Sequence, residues 1–229
     1  MWQKIALLHI ETYQKWWKNQ INDKTRNMVR KAEKKGVAVS VCDFDDDFAR
    51  GVHAIYNETP IIQGKPSRHY GKDFNTLKQA HMTFLDRSVF IAARLKGELI
   101  GFVKMVFLDD SASIMQINAL IAHRDKAPTN ALLAKAVEVC EERSVHLLQY
   151  GVWSRRTLGA FKMHHGFEMK EVPRYFVPLN WFGRIVLRMG FQRSFAELVP
   201  DNWIDVFVGF RTKLYSYKYR AHIRPKAHY

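Results

Sequence analysis

The 229-residue chain carries two cysteines, seven prolines and no run of eighteen uninterrupted apolar residues. Cys42 and Cys140 have no other Cys or His at ligand spacing, which excludes a disulfide framework and a cysteine-based zinc module; both read as buried structural thiols in a reducing compartment. The missing apolar run excludes a membrane-spanning helix by pattern. The first twenty residues contain Lys4, His9, Glu11, Lys15 and Lys18, so no signal-peptide core is present there. The expectation is a soluble, uncleaved, cytoplasmic chain. Acidic residues are scarce too, 22 against 36 Lys and Arg, giving a net charge of +14. Their densest run, Asp45-Asp46-Asp47, reads as helix-start carboxylates favouring the helix dipole, so no metal is expected.

The positive charge is concentrated at the two ends, +6 over residues 1–36 and +7 over 174–229, against +1 between them. Such flanks suit a nucleic acid such as tRNA, an anionic membrane surface or a phosphorylated carrier, and they are equally the pattern of a solvated basic face. Residues 2–35 hold no Pro or Gly, carry apolar residues at Trp2, Ile5, Ala6, Tyr13, Trp16 and Trp17, and end in Lys34, Lys35 and Gly36. They read as one long basic helix. From Trp181 onward a second basic extension alternates aromatics with cations. Its first helix is expected to pack on the domain, while Arg211–Arg220 suits stacking on single-stranded RNA or a solvated helix.

Between the flanks the organising stretch is Ser113 to Cys140. An uncharged β-rich run is broken at His123–Ala127, Pro128 suits a first helical position, and Leu132, Leu133, Ala136, Val137 and Cys140 follow at helical spacing. A strand, a loop and a helix in that order aim backbone N–H groups and a dipole at whatever lies over the loop, and phosphate is the usual ligand.

This segment resembles the acyl-CoA pyrophosphate loop of the GNAT superfamily of N-acetyltransferases. Arg124, Ala127, Thr129 and Leu132 fall in register with its pattern, although both glycine positions are substituted. The resemblance implies that Ala122, His123, Arg124, Asp125, Lys126, Ala127, Thr129, Asn130 and Ala131 hold the diphosphate of acetyl-CoA or another acyl-CoA. Ser88–Phe102 resembles the central GNAT hairpin, with Gly97 in the turn and Gly101 expected at a bulge or close backbone approach. Phe161–Phe167 resembles a GNAT signature in which Lys162 replaces a general-acid Tyr, and Arg155 replaces an Asn that contacts CoA. His164 and His165 are possible substitutes for that acid. The end of the first basic stretch, Arg26–Val37, resembles the lead-in to Fem-type transferases, which take their acyl group from aminoacyl-tRNA.

An acyl transfer to an amine needs a base, an oxyanion stabiliser and a proton for the leaving group. The strand through Ser113–Ala122 offers no carboxylate. Gln116 can orient a water or an amide, and Tyr150 and Tyr70 are the acid candidates. The long loop 57–72 is rich in hydrogen-bonding groups, and the resemblance implies that it shapes the acceptor site, with Glu58, Arg68 and His69 reading the acceptor.

The resulting expectation is an α/β (α+β) fold: a basic N-terminal helix at 1–36, one GNAT-like domain at 37–180 with a mixed central sheet flanked by helices, and a basic aromatic extension at 181–229. The implied activity is N-acyl transfer from acyl-CoA to an amine. A Fem-like use of aminoacyl-tRNA, or a silent domain that binds RNA or lies peripherally on a membrane, are the alternatives.

Overall fold

Apolar alternation and helical spacing in the chain's middle resolve, in the computed structural model, into a mixed α+β fold with helices on both sides of a seven-stranded sheet. The structure describes residues 1–62, 65–154 and 156–190, together with 213, 214 and 217. They divide into two compact units. One comprises Trp2–Glu58 and Lys72–Val172; the other comprises Met1, Thr59–Gly71 and the chain from Pro173 onward.

In the larger unit the elements run β1 (Trp2–His9), α1 (Tyr13–Lys15) leading into a π-helical turn (Trp16–Gln20), α2 (Asp23–Lys34), β2 (Val37–Cys42) and α3 (Asp46–Tyr56). The smaller unit holds two short strands, β3 (Ile61–Ile62) and β4 (Lys65–Pro66). The larger unit continues with α4 (Phe74–Met82), a 3-10 turn (Leu85–Arg87), β5 (Ser88–Leu95), β6 (Glu98–Leu108), β7 (Ser111–Ala119), a second 3-10 turn (Ile121–Lys126), α5 (Pro128–Glu142), β8 (Leu147–Val152), α6 (Arg156–His164) and β9 (Glu168–Pro173). The smaller unit ends its described part with α7 (Trp181–Arg188).

The sheet order is β2-β5-β6-β7-β8-β1-β9. Its pairs are antiparallel from β2 through β7 and between β1 and β8, whereas β7 and β8 run parallel. Strand alternation sends Ile91, Val103, Met105 and Ile114 into one core, packed on Leu132, Leu133 and Val137 of α5 and Ala32 of α2. The intervening residues Phe90, Ala92 and Phe102 meet Phe48, Val52 and Leu77 in a second core on the opposite face. Each fully buried large apolar side chain contributes about 1.5–3 kcal/mol relative to exposure.

The expected hairpin forms, with Lys96 (φ +50°) and Gly97 (φ +89°) making its two-residue turn. Gly101 lies where a Cβ would come within 3.0 Å of Ala119 Cβ and 3.2 Å of the Asn118 carbonyl. That is the close backbone approach expected from its place in an apolar strand. The N-cap of α3 is Asp45, its carboxylate accepting from Phe48 N–H at 2.7 Å.

The long N-terminal helix is corrected. Trp2–His9 is a strand inside the sheet, with Ala6 and Leu8 buried, and helix resumes only after Thr12 and Asn22 cap the turns that follow. α7 lies in the smaller unit, where its N-cap Asn180 accepts from the Gly183 N–H at 2.8 Å. Most of the aromatic stretch 211–220 lies outside the described residues, and no helix among them is long and apolar enough to cross a membrane.

Because β1 lies between β8 and β9, deleting residues 1–10 opens two strand edges and removes Ala6, Leu8 and Ile10 from the core. The truncated chain is expected to lose its cooperative thermal transition in circular dichroism. A dispensable helical extension would leave that transition in place.

Candidate functional site

The site begins where two strands part. β7 and β8 are paired only over Ser111, Ala112 and Ser113 with Leu147, Leu148 and Gln149. Beyond that point β7 stays on β6, with Gln116 opposite Lys104 and Asn118 opposite Phe102, after a bulge that leaves Met115 without a partner. Bulges re-aim side chains at such places. The Ser113 hydroxyl donates to Gln149 Oε1 at 3.0 Å across the last paired position. Gln116 Oε1 is buried without a hydrogen-bond partner, and an unmet buried acceptor of this kind costs about 1–3 kcal/mol.

The end of β8 is held by a lysine. Lys162, on α6 and 2% exposed, donates to the carbonyls of Tyr150 at 2.6 Å and Val152 at 2.8 Å. Gly151, between them, takes a φ of +56°. Desolvation lowers the Lys162 pKa, and its ammonium lies 4.5 Å from the centre of the Tyr150 ring. Burial pushes the Tyr150 phenol up to about 12. It is therefore a hydrogen-bond donor near neutrality and a weak acid.

The loop after β7 is folded on itself. Glu58, one residue past the end of the α3 cap, accepts from the backbone N–H of Ile121 at 2.6 Å and of Ala122 at 2.8 Å. The His123 and Ala127 N–H groups donate to the Leu120 and Arg124 carbonyls, and those of Asn130 and Ala131 to the Ala127 carbonyl. Pro128, at the first helical position, has no N–H to offer. Ala127 adopts φ +54°, a left-handed conformation with a Cβ in place where a glycine would leave room. Among the described residues this leaves the Thr129 N–H and the side chains of Arg124 and Lys126 facing any anion. Arg124 is exposed, and Lys126 pairs with Asp125 at 3.1 Å. Six N–H groups of this segment, those of Ile121, Ala122, His123, Ala127, Asn130 and Ala131, are thus engaged within the chain.

The candidates from the sequence separate accordingly. Gln116 and Tyr150 stand on the two parting strands. Ala122 to Lys126 form the 3-10 turn and its approach to α5, with Ala127 and Ala131 buried and Thr129 and Asn130 half-buried. Glu58 grips the loop. Arg68, His69 and Tyr70 belong to the smaller unit, where Arg68 is exposed and the other two are half-buried. Arg155 lies outside the described residues. His165 is buried beneath α6, its Nδ1–H donating to the Phe161 carbonyl at 2.8 Å.

Two features escaped the sequence reading. Lys104 is buried on β6 and donates to the carbonyls of His81 at 2.7 Å and Thr83 at 2.6 Å. Its signal was a single charge inside the apolar run Leu99–Leu108. The Ser113–Gln149 contact had no local signal. Burial pushes the thiols of Cys42 and Cys140 up to about 11 and 12, so neither is a nucleophile at neutral pH. Among the described residues no three His, Cys, Asp or Glu side chains gather as a metal set.

No protein-family model and no curated protein matches the sequence. Solved structures do match the fold. FemX superposes with a TM-score of 0.62 at 11% identity, over 73% of this chain and 60% of that one. The C-terminal domain of a lysylphosphatidylglycerol synthetase from Agrobacterium fabrum gives 0.55 at 12%, over 74% and 58%. A tandem GNAT protein of the clavulanic acid biosynthesis pathway gives 0.50 at 13%, over 74% and 50%. The chain has the GNAT fold with a Fem-like resemblance, and it spans about half to three-fifths of the length of these structures.

Burial takes the His165 pKa from 6.5 to about 4. The unfolded chain then binds a proton more readily than the folded one, so the stability this neutral ring permits is present above pH 6.5. It is lost as pH falls through about 4, by up to about 3 kcal/mol. Urea titrations from pH 7 to 4 are expected to show that loss, and His165→Gln to flatten it.

Proposed function

We propose that this chain is an N-acyltransferase whose donor is an aminoacyl ester carried on RNA and whose acceptor is an amine. The observation that carries this reading is the Glu58 carboxylate on the Ile121 and Ala122 N–H groups, an internal anion at the start of the loop that the GNAT resemblance gives to a CoA diphosphate. An ester on a ribose hydroxyl has no diphosphate to cradle. Its carrier is a polyanion, and α2 supports contact with one. The helix packs on α5, exposes Lys24, Arg30, Lys31, Lys34 and Lys35, and brings Lys31 close enough to Asp125 to lower that carboxyl's pKa, after the stronger effect of Lys126. The likeness of the fold to FemX is in line with the Fem-type expectation raised by Arg26–Val37.

In this reading the amine lone pair attacks the ester carbonyl. The bond from the carbonyl carbon to the ribose oxygen breaks, an amide forms, and the proton lost by the amine ends on the released hydroxyl. With no carboxylate on β7 to act as base, rate comes from holding the reactants in place and from polar groups around the reacting carbon. Gln116 supplies an acceptor for the amine, and Lys162 fixes the carbonyls at the end of β8. Acyl-CoA transfer is the competing activity, and Arg124, exposed and in register with the GNAT pattern, is the residue that favours it.

Calorimetry with acetyl-CoA, uncharged tRNA and aminoacyl-tRNA at two salt concentrations decides between the donors. The expected result is tRNA binding that weakens steeply with salt, a shallower slope by about one to two in the Lys31→Glu/Lys34→Glu variant, and transfer of the aminoacyl group to an added amine. Micromolar acetyl-CoA binding abolished by Arg124→Glu would overturn the RNA-ester reading in favour of acyl-CoA.

A further inference from the structure

The helices α3 and α4 cover the sheet face over β5 and β6, but the same face over β7, β8 and β1 bears a cavity of about 320 Å³. Its floor follows from register. Leu108, Ser111 and Leu147 are aligned across β6, β7 and β8, and the next row is Val106, Ser113, Gln149 and Leu7 across β6, β7, β8 and β1. Phe84 and Arg87, from the 3-10 turn before β5, form a wall. Past the Met115 bulge the row continues as Gln116 opposite Lys104. The lining is mainly apolar, through Leu7, Val106, Leu108, Met115 and Leu147, and Ser113 and Gln149 supply polar groups at the last paired position before β7 and β8 separate.

We propose that this cavity is the acceptor site and that the acceptor is a primary amine borne on an apolar, alkyl or arylalkyl, body. The inference rests on the acyltransferase reading above and names its acceptor class. Apolar lining with a few convergent polar groups is the usual make-up of a small-molecule site. The apolar body lies on Leu7, Val106, Leu108 and Leu147, and the amine reaches Ser113. That hydroxyl gives its proton to Gln149 and keeps lone pairs to accept an N–H.

Charge selects the form of the amine. The charged groups on this face are Arg87, paired with Asp86 at 3.2 Å, and the buried Lys104, whose pKa is lowered by desolvation. No carboxylate lines the cavity among the described residues. A site with cations and neutral acceptors disfavours an ammonium ion and favours the neutral amine, the form that attacks a carbonyl. The nucleophile is prepared by its surroundings.

The test uses 4-phenylbutylamine, 4-phenylbutyrate and spermidine as probes, titrated calorimetrically into the full chain without any donor. Saturable binding of the amine is expected, at least tenfold tighter than either other probe and strengthening as pH rises from 7 to 9. Leu108→Trp, at a position 57% exposed and so tolerant of bulk, is expected to weaken it at least tenfold. Val106→Trp blocks the floor from the adjacent row and is read where that variant keeps its thermal transition. Ser113→Asp is expected to reverse the pH trend by welcoming the ammonium ion. No saturable amine binding, tighter binding of the carboxylate or the polyamine, or amine binding unchanged in Leu108→Trp would overturn the proposal. Because no donor is present, this outcome is independent of whether RNA or CoA carries the acyl group.

Discussion

The parting of β7 and β8 after three paired positions is the constraint on which the rest of the site depends. Two parallel strands that separate inside a protein leave backbone groups without their ladder partners, and such groups must be satisfied elsewhere. Three devices do this. Glu58 receives the N–H groups that follow β7, Lys162 donates to the carbonyls that follow the last paired residue of β8, and β1 pairs along the far edge of β8. The gap is stable because a carboxylate, an ammonium group and a strand from the start of the chain each take up one part of the broken ladder.

The same constraint explains why, among the described residues, Glu58 and Lys162 meet backbone groups rather than ion-pair partners at these contacts. Backbone N–H groups present partial positive charge and carbonyls partial negative charge, so a carboxylate on the former and an ammonium on the latter make charge-assisted bonds, about twice as strong as neutral ones. Lys104 follows this logic at the end of α4, where the carbonyls of His81 and Thr83 lack partners further along the helix. The sheet thus uses two buried lysines as caps. In each case burial lowers the lysine's pKa by desolvation, so the carbonyl contacts offset the cost of burying a cation rather than adding to an excess of stability.

Much of this was legible from local pattern. The alternation of Ser88–Leu108 around Lys96-Gly97, the first-position Pro128 and the stripe from Leu132 to Cys140 specify their elements through interactions a few residues long. Gly101 carried its own signal, since a residue without a Cβ in an apolar strand marks a close approach. Trp2–His9 was misread because its partners are β8 and β9, about 140 residues away; absence of Pro and Gly permits a helix but does not require one, and tertiary pairing decided the outcome. Ala6, Leu8 and Ile10 are buried at period two, but a window of this length with Ile5 and Leu7 also apolar fits either period. Glu58 drew notice through its place in a long polar loop, but the backbone it grips lies 63 residues on. No sequence spacing encodes that contact.

The loss of both loop glycines and the capture of the loop by Glu58 belong to one physical argument. A glycine-rich loop holds a diphosphate because its N–H groups point outward, and it folds stably only when the anion arrives or water satisfies them. Here Ala127 holds a left-handed turn despite its Cβ, Pro128 removes one donor, and an internal carboxylate neutralises two others. A polyanion meeting this surface therefore finds Arg124 on the loop and the exposed lysines of α2, which are side-chain charges on flexible stems suited to a backbone of many phosphates. A single diphosphate would gain little from such scattered charges, whereas each phosphate of an RNA can release counterions against one of them. In the proposed reading, the acyl ester has then only to be delivered to the gap between β7 and β8.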